Sequence, residues 1–198
     1  MYLFGASGHG KVVADIADAS GIEIKAFIDH DISKTECYGL PVLKTVPDKI
    51  GHLVIAIGNN KIRKKIAEET NCKNFISLIH PKTIISRSVK IETGTVVMGG
   101  VVINADTTIG KHCIINTNAS VDHDCMIEDF VHISPNSALA GGVKVGEGSQ
   151  IGIGASVIQG IKIGKWCVIG AGAVIIADIP DYSVVVGNPG RIIKKNII

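Results

Sequence analysis

The hydrophobic pattern of the chain changes near residue 80, and its second part has a period of six. Stepping by six from Ile85 to Ile175 meets Ile, Val or Leu at all sixteen positions without a slip of frame. Four residues after each of these positions lies a small or β-branched residue, and Gly, Asn, Asp or Glu often follows it. This period fits neither an α-helix, which repeats after about 3.6 residues, nor an alternating strand.

The repeat predicts three short strands in each coil of 18 residues, with a tight turn between successive strands. The aliphatic residue then points into a triangular prism, and Gly, Asn and Asp suit the turns because they tolerate positive φ. Each coil buries its aliphatic residues only by stacking on the next. The pattern resembles that of hexapeptide-repeat acyltransferases, which form a left-handed parallel β-helix. We expect this fold from about residue 85 to 178, with a purely structural solenoid as the alternative.

Residues 1–80 follow a different pattern, in which short apolar runs alternate with helical spacing. The predicted elements are strands at 1–4, 26–28 and 53–57 and helices at 11–19 and 61–70. This β-α-β-β-α order predicts an α/β, Rossmann-like unit. We therefore divide the chain into a Rossmann-like domain at 1–80 and a β-helix domain at 81–198.

A glycine-rich loop follows the first predicted strand. Gly5, Gly8 and Gly10 have the spacing GxxGxG instead of the dinucleotide spacing GxGxxG, and the unit is small for a full dinucleotide-binding fold. Backbone N–H groups at the start of the following helix can approach a phosphate. Asp29, after the second strand, is placed to accept a hydrogen bond from a ribose hydroxyl. We expect a nucleotide-sugar or another phosphate ligand here, with a structural turn as the alternative.

Composition narrows the classes of function. The net charge of +2 gives no case for a nucleic-acid surface, and no apolar stretch reaches the ~18 residues of a membrane span. The N-terminus lacks the features of a secretory signal, so we expect a cytoplasmic protein. The five cysteines form no CxxC pair. Cys113, Cys125 and Cys167 fall in the small-residue position of the repeat and are predicted to serve packing.

His123 lies in a polar interruption of the repeat, residues 116–125. A histidine with a pKa near 7 suits a general base, and the neighbouring Asp124 could orient its ring. Gly141 and Gly142 are expected to form a bulge-like loop that offers a backbone N–H to an oxyanion. The γ-class carbonic anhydrases share the fold and bind a metal through histidines. Because two of those ligands are five residues apart, whereas the gaps between the repeat histidines here are 11 and 9, we predict no metal site.

Five motifs together are similar to those of the NeuD/PglD family of bacterial sugar acetyltransferases. They are GASGHG at 5–10, AIGNN at 56–60, LIHP at 78–81, DHDC at 122–125 and VGNP at 186–189. The resemblance covers nearly the whole chain, and the motifs occur in the family's order. It implies an N-acetyltransferase that uses acetyl-CoA as co-substrate. The implied acceptor is a UDP-linked 4-amino-4,6-dideoxy-N-acetyl hexose, as in bacillosamine-type glycan synthesis.

The resemblance also assigns roles to residues. It implies a homotrimer with active sites between subunits, with His123 as general base and Asp124 beside it. The implied substrate-binding residues are Ser7, Gly8, His9, Asp29, His30, Gly58 and Asn116. The implied acetyl-CoA-binding residues are His132, Gly141, Ile153, Ala171 and Pro189, the last in a loop that closes over the coenzyme. Some members have Glu in place of Asp124 and Gly in place of Ala171.

Three other functions stay open at this point. Relatives O-acetylate sialic acid or related sugars on the same scaffold, and others N-acetylate a sugar of the GDP-perosamine type. A non-catalytic partner of a glycan-synthesis enzyme, which holds a nucleotide-sugar without turnover, is the third. The sequence alone does not separate acceptor sugars that differ at single hydroxyls.

Overall fold

The N-terminal unit is a small α/β sandwich; the computed structural model describes residues 1–48, 50–70, 72 and 74–196 of the chain. In chain order its elements are β1 (Tyr2–Phe4), α1 (Gly8–Ala19), β2 (Ala26–Ile28), β3 (Glu36–Cys37), β4 (Leu40–Leu43), β5 (Leu53–Ile55) and α2 (Asn60–Glu69). The sheet has the order β3-β4-β2-β1-β5, in which β3 alone runs antiparallel to its neighbour. The predicted Rossmann-like arrangement is confirmed.

The helices begin earlier than predicted. Helix α1 starts at Gly8, because Ser7 has extended backbone angles and acts as its N-cap. Helix α2 starts at Asn60 because the Asn59 side chain accepts a hydrogen bond from the Ile62 N–H at 3.0 Å. The glycine loop therefore leads directly into a helix N-terminus.

The hairpin of β3 and β4 was not among the predicted elements. Tyr38 and Gly39 form its turn, both with positive φ (53° and 70°), as expected for a two-residue hairpin turn. Strand β4 then pairs in parallel with β2, Phe27 opposite Val42. The turn signal is weak because Tyr rarely adopts positive φ, and Pro41 argues against a strand.

The second unit is a parallel β-helix, as the period of six predicts. Its strands are β6 (Leu78–Ile79), β7 (Ile84–Ile85), β8 (Lys90–Ile91), β9 (Val96–Val97), β10 (Val102–Ile103), β11 (Thr108–Ile109), β12 (Ile114–Ile115), β13 (Ser120–Val121), β14 (Met126–Ile127), β15 (His132–Ile133), β16 (Ala138–Leu139), β17 (Lys144–Val145), β18 (Gln150–Ile151), β19 (Ser156–Val157), β20 (Lys162–Ile163), β21 (Val168–Ile169), β22 (Val174–Ile175), β23 (Ser183–Val186) and β24 (Arg191–Lys195). The helix begins slightly before its predicted start, since β6 pairs with β9. Its left-handed sense stays a prediction.

Every third strand belongs to the same side of the prism. Sheet one runs from β6 to β21 and adds β23 and β24, sheet two runs from β7 to β22, and sheet three runs from β8 to β20. Residues 18 apart are in register, as with Ile103 and Val121. Of the sixteen aliphatic positions, all of them described, fourteen are buried; Ile85 and Ile91 in the first coil are half-buried.

The small-residue positions also join successive coils. The Thr107 hydroxyl donates to the Asp122 carbonyl (2.7 Å) and accepts from the Cys125 N–H (3.1 Å), and Ser149 does the same with Gly164 and Cys167. The cysteines at these positions are buried and unpaired, as predicted.

The turns form three columns of residues with positive φ, one at each corner of the prism. Between sheets three and one lies the aromatic corner, which contains Gly94, His112, Phe130, Gly148, Trp166 and Tyr182. Between sheets one and two lies the amide corner, which contains Gly100, Asn118, Asn136, Gly154 and Gly172. Between sheets two and three lies the open corner, which contains Asp106, Asp124, Gly142 and Gly160. The Gly142 turn is an ordinary member of its column, so the expected bulge-like loop was wrong.

The N-terminal unit covers one side of the β-helix. Leu78, Val96 and Ile114 of sheet one, and Met98 directly after β9, share a hydrophobic cluster with residues of α1. Helix α2 lies against the aromatic corner, where Lys64 pairs with Glu147 and contacts the rings of Phe130 and Trp166. Within the described ranges, the open corner has no such cover. None of the helices in the described ranges is long and apolar enough to span a membrane.

Candidate active site

His123 projects from the open corner between two carboxylates. Its Nδ1 lies 2.7 Å from Asp124 Oδ2, and Asp122 Oδ1 accepts hydrogen bonds from the His123 N–H and the Asn104 amide, both at 2.8 Å. The hydrogen bond to Asp124 and the charge of Asp122 raise the pKa of His123. Because Nδ1 carries the ring proton and donates it to Asp124 in a hydrogen bond, Nε2 carries the lone pair, which faces outward. This arrangement is that of an oriented general base.

Gly141 supports the imidazole of His123 from the next coil. A Cβ placed on Gly141 would lie 2.6 Å from both Nε2 and Cε1 of the ring, closer than real side chains allow. The ring thus lies against the Gly141 backbone, a contact that was not predicted from the sequence. The position 18 residues after His123 in a repeat of this period was the available signal.

Of the two glycines considered for an oxyanion site, only Gly141 has a free N–H. Gly142 N–H donates to the His123 carbonyl at 2.8 Å. Gly141 N–H has no partner within the described ranges. A donor therefore lies directly beside the candidate base, where acyl transfer develops negative charge.

The glycines of the N-terminal loop have different physical roles. A Cβ on Gly5 would lie 2.6 Å from the Ala56 carbonyl oxygen, and one on Gly10 would lie 2.2 Å from the Gly5 carbonyl oxygen. Both are required by close packing. Gly8, by contrast, opens onto free space at the first residue of α1, and the exposed Ser7 makes no side-chain cap. These two residues can admit an anion to the helix N-terminus.

Asp29 orders the glycine loop. Its Oδ2 accepts from the Ala6 N–H (2.9 Å) and from Lys34 Nζ (2.6 Å), and its Oδ1 accepts from the Asp31 N–H (3.0 Å). Partial burial opposes ionisation, but these hydrogen bonds, led by that from Lys34, hold the pKa of Asp29 below its ordinary value. A carboxylate accepts about four hydrogen bonds, so room for a ribose hydroxyl remains.

Two other predicted residues lie at the ends of neighbouring elements. His30 is exposed and packs edge-on against Phe4, with ring centroids 5.2 Å apart. Both line a cavity of about 340 Å³ between the sheet and the end of α2. Gly58 precedes α2, and a Cβ there would meet nothing within 4 Å.

His9 and His132 lie together where the two units meet. Their ring centroids are 6.4 Å apart, and His132 Nε2 lies 3.0 Å from the Asn116 amide nitrogen. Burial, and next the charge of Arg63, lowers the pKa of His9 to about 4 and that of His132 to about 3. Both rings are thus neutral near pH 7, and sequence reasoning gave no sign of Arg63.

The remaining predicted residues follow the amide corner. Ile153 and Ala171 are exposed, lie one coil apart, and are joined through the Gly172 N–H and the Ile153 carbonyl (2.8 Å). Exposed Pro189 belongs to a loop that hydrogen-bonds to Val174 in the last coil. Asn116 lies lower on the same edge.

A single chain does not bring all the predicted residues together. His123, Asp124 and Gly141 lie at the open corner, whereas the residues just described follow the amide corner. One side of the prism, sheet two, separates the corners by roughly 15–20 Å. Among the described residues, no three His, Cys, Asp or Glu side chains are grouped to hold a metal ion.

Known protein families match both units of the chain. The model of the PglD N-terminal domain matches residues 1–70, and that of the bacterial transferase hexapeptide (six repeats) matches residues 142–177. A mutant perosamine N-acetyltransferase from Caulobacter crescentus, solved with CoA and GDP-perosamine, is 38% identical. The superposition covers 98% of this chain and 96% of that one, with a TM-score of 0.92. The chain belongs to the NeuD/PglD family of sugar acetyltransferases.

Other members of the family are equally informative. The acetyltransferase domain of PglB from Neisseria gonorrhoeae, solved with acetyl coenzyme A, is 40% identical over 97% of this chain and 98% of that chain, with a TM-score of 0.90. UDP-N-acetylbacillosamine N-acetyltransferase from Bacillus subtilis is 44% identical over 109 residues, 48% of this chain. That match spans half the length of the curated relative.

Proposed function

We propose that this protein transfers the acetyl group of acetyl-CoA to the 4-amino group of a UDP-linked 4-amino-4,6-dideoxy-N-acetyl hexose of the bacillosamine type. The observation that carries the proposal is the position of the His123 ring. The ring is hydrogen-bonded to Asp124 and lies against Gly141, and its Nε2 faces outward. Family members that act on amino sugars support the choice of acceptor.

The reaction requires one base and one oxyanion donor. His123 Nε2 removes a proton as the sugar amine attacks the thioester carbonyl, and the Gly141 N–H stabilises the oxygen that becomes negative. The tetrahedral intermediate collapses by breaking the C–S bond. The leaving thiolate receives the proton from the His123 imidazolium, whose Nδ1 stays hydrogen-bonded to Asp124. Atoms and charge balance without a metal or redox partner.

The two substrates approach from different units. The diphosphate binds at Ser7 and Gly8 on the N-terminus of α1, with His9, Asp29, His30 and Gly58 around the nucleotide. Asn116 faces the sugar. Acetyl-CoA lies along the amide corner against Ile153 and Ala171, with His132 and Pro189 at its ends. Because acetyl-CoA and nucleotide-sugars are made in the cytoplasm, the enzyme acts there.

A homotrimer completes the site. The separation of the corners supports this, since the open corner of one subunit can meet the amide corner of the next only in an assembly. Mixing inactive His123→Ala chains with inactive Asn116→Ala chains should then restore part of the activity, because some interfaces contain neither change. Activity that stays absent after verified exchange of subunits would place each site within one chain.

The direct test is turnover with acetyl-CoA and a UDP-linked 4-amino sugar. We expect thiol release with the wild type and a loss of about 10²–10⁴-fold in kcat with His123→Ala, since general-base catalysis contributes that much. Exposed His52→Ala is the matched control and should keep full activity. Near-wild-type turnover by His123→Ala would contradict the proposed mechanism.

A GDP-linked sugar of the perosamine type is the second candidate acceptor. The observation in its favour is the superposition on the perosamine enzyme, which covers 98% of this chain at 38% identity. A comparison of kcat/KM for UDP- and GDP-linked 4-amino sugars decides between them. CMP-sialic acid in the same assay tests the O-acetyltransferase alternative.

A further inference from the structure

Lys34 forms an ion pair with Asp29 at the edge of the glycine loop. Its Nζ lies 2.6 Å from Asp29 Oδ2, the same oxygen that accepts the Ala6 N–H at 2.9 Å. Two donors that share one oxygen lie close together, so the ammonium is beside the backbone of the loop. The Lys34 side chain is 33% exposed, and a ligand bound at the loop can therefore reach it.

The charge of Asp29 opposes the binding of a diphosphate at this loop. Its Oδ2 contacts the Ala6 N–H, and α1 begins two residues later at Gly8, where the diphosphate is proposed to bind. The carboxylate and the diphosphate are both negative, and like charges so close together disfavour binding. The N-terminus of α1 offers only a partial positive charge in return. A cation that offsets Asp29 is therefore required, and Lys34 lies where it can do so.

The ammonium of Lys34 also keeps donors for a phosphate. A lysine has three N–H donors, and Asp29 accepts one of them. Among the residues that the structure describes, no second acceptor lies within hydrogen-bond distance of Nζ. An ammonium binds phosphate as a point charge and needs no planar, two-pronged geometry. It can therefore donate to a phosphate oxygen without leaving Asp29.

Other contacts hold the loop that carries Lys34. The Lys44 ammonium, directly after β4, donates to the carbonyls of Asp31 (2.9 Å) and Lys34. Asp31 Oδ1 accepts from the N–H (3.0 Å) and the hydroxyl (2.6 Å) of Ser33. None of these hydrogen bonds involves the Lys34 ammonium, so the loop should keep its path when that ammonium is removed. A loss of ligand binding then reports on the charge and not on the fold.

We propose that Lys34 is a binding residue for the nucleotide-sugar, whose ammonium bridges Asp29 and the diphosphate. It fixes the carboxylate for the ribose and offsets its charge beside the phosphates. The inference rests on the proposed function, because it requires the diphosphate at the N-terminus of α1. It deepens that function by assigning a cation to the site. It applies to UDP- and GDP-linked sugars alike, since both carry the same diphosphate.

The test is the binding of UDP and of GDP, measured by calorimetry with the wild type and with Lys34→Met. For the nucleotide that the wild type binds more tightly, Kd should rise about 10–100-fold, because a hydrogen bond to a charged group contributes that much. Lys34→Arg keeps the charge and should stay close to the wild type. Exposed Lys25→Met, at the opposite end of β2, is the matched control and should bind as the wild type does.

Two further variants separate charge from structure. Lys34→Gln keeps a hydrogen-bond donor without the charge and should show the same rise in Kd as Lys34→Met, so it also serves if that variant does not fold. In an Asp29→Asn background the effect of Lys34→Met should shrink, because the charge to be offset is then absent.

Turnover shows which substrate Lys34 binds. Lys34→Met should raise the KM for the nucleotide-sugar and leave kcat within about twofold of the wild type, the pattern of a lost ground-state contact. The KM for acetyl-CoA, which has a diphosphate of its own, should not change.

An unchanged Kd in the neutral variants, or equal losses for both substrates, would overturn the inference. It would also be overturned if the wild type bound neither UDP nor GDP. A wild type that binds a nucleotide but acetylates no amino sugar would instead overturn the proposed function.

Discussion

His112 and His123 both lie at corners of one β-helix, 11 residues apart, and their surroundings differ in every respect. His112 is 5% exposed, stacks on Phe130 with ring centroids 5.3 Å apart, and meets Phe75 edge-on. Burial, and next the charge of Arg63, lowers its pKa to about 4. The side chain of His123 is 59% exposed, and its pKa is raised by carboxylates. His112 has positive φ and His123 lies one position earlier in the repeat, but both belong to corner turns, and what covers each corner decides the chemistry.

The comparison predicts first that stability is concentrated at the aromatic corner. Phe130→Ala should lower the free energy of unfolding by about 3–4 kcal/mol, because it removes a buried ring and leaves a cavity. Met126→Ala, four residues earlier and 47% exposed, is the matched control and should cost less than about 0.5 kcal/mol. Denaturant unfolding measures both, and equal losses would show that the corners do not differ in this way.

Activity, by contrast, should depend on the fit of one ring over one glycine at the open corner. Gly141→Ala places a methyl group against His123 and should lower kcat/KM by about 10²-fold, because a small displacement of a base has effects of that size. Its melting temperature should stay close to that of the wild type. Gly51→Ala, where a Cβ would meet nothing within 4 Å, is the control. Unchanged turnover by Gly141→Ala would mean that the ring needs no such support.

Acid should lower the stability of the buried region through three histidines that fold in the neutral form. The pKa values of His9, His112 and His132 are lowered to about 4, 4 and 3 in the folded protein, so the unfolded state binds more protons. Stability is therefore fully present above the unfolded pKa of about 6.5 and is lost as the pH falls towards the folded values.

The smallest predicted effect isolates one of these residues. At pH 5 each neutral buried histidine should lower the free energy of unfolding by roughly 1–2 kcal/mol relative to pH 7. His112→Phe keeps a ring on Phe130 and should reduce the loss of stability between pH 7 and pH 5 by about that amount. An identical pH dependence in the variant would contradict the assignment. His123→Ala, which removes an exposed imidazole instead of a buried one, is the control.

The β-helix could be predicted because each of its coils is specified locally. The aliphatic residue, the small residue and the turn residue recur within six positions, and stacking repeats the same contact. The surroundings of His123, the candidate base, could also be predicted, because Asp122 and Asp124 adjoin it in sequence.

The rest of the site depends on contacts between distant parts of the chain. Nothing in the spacing of His112, His123 and His132 indicates which of them α1 and α2 will cover. Arg63 lies in a charged stretch typical of a solvated helix face, and only the docking of α2 on the aromatic corner buries it. Gly141 lies against the His123 ring because the stacking of the next coil places it there.

The alignment of residues 18 apart also limits how this protein can change length during evolution. Loss or gain of one whole coil leaves every remaining side chain on its original face of the prism. Any other change in length within a strand rotates all later coils, and one between residues 123 and 141 moves His123 relative to Gly141. Extra residues are tolerated only where they leave the prism at a corner and return to it. New acceptor specificities should therefore arise from corner loops of altered length, while the strands between them keep the same number of residues in each coil.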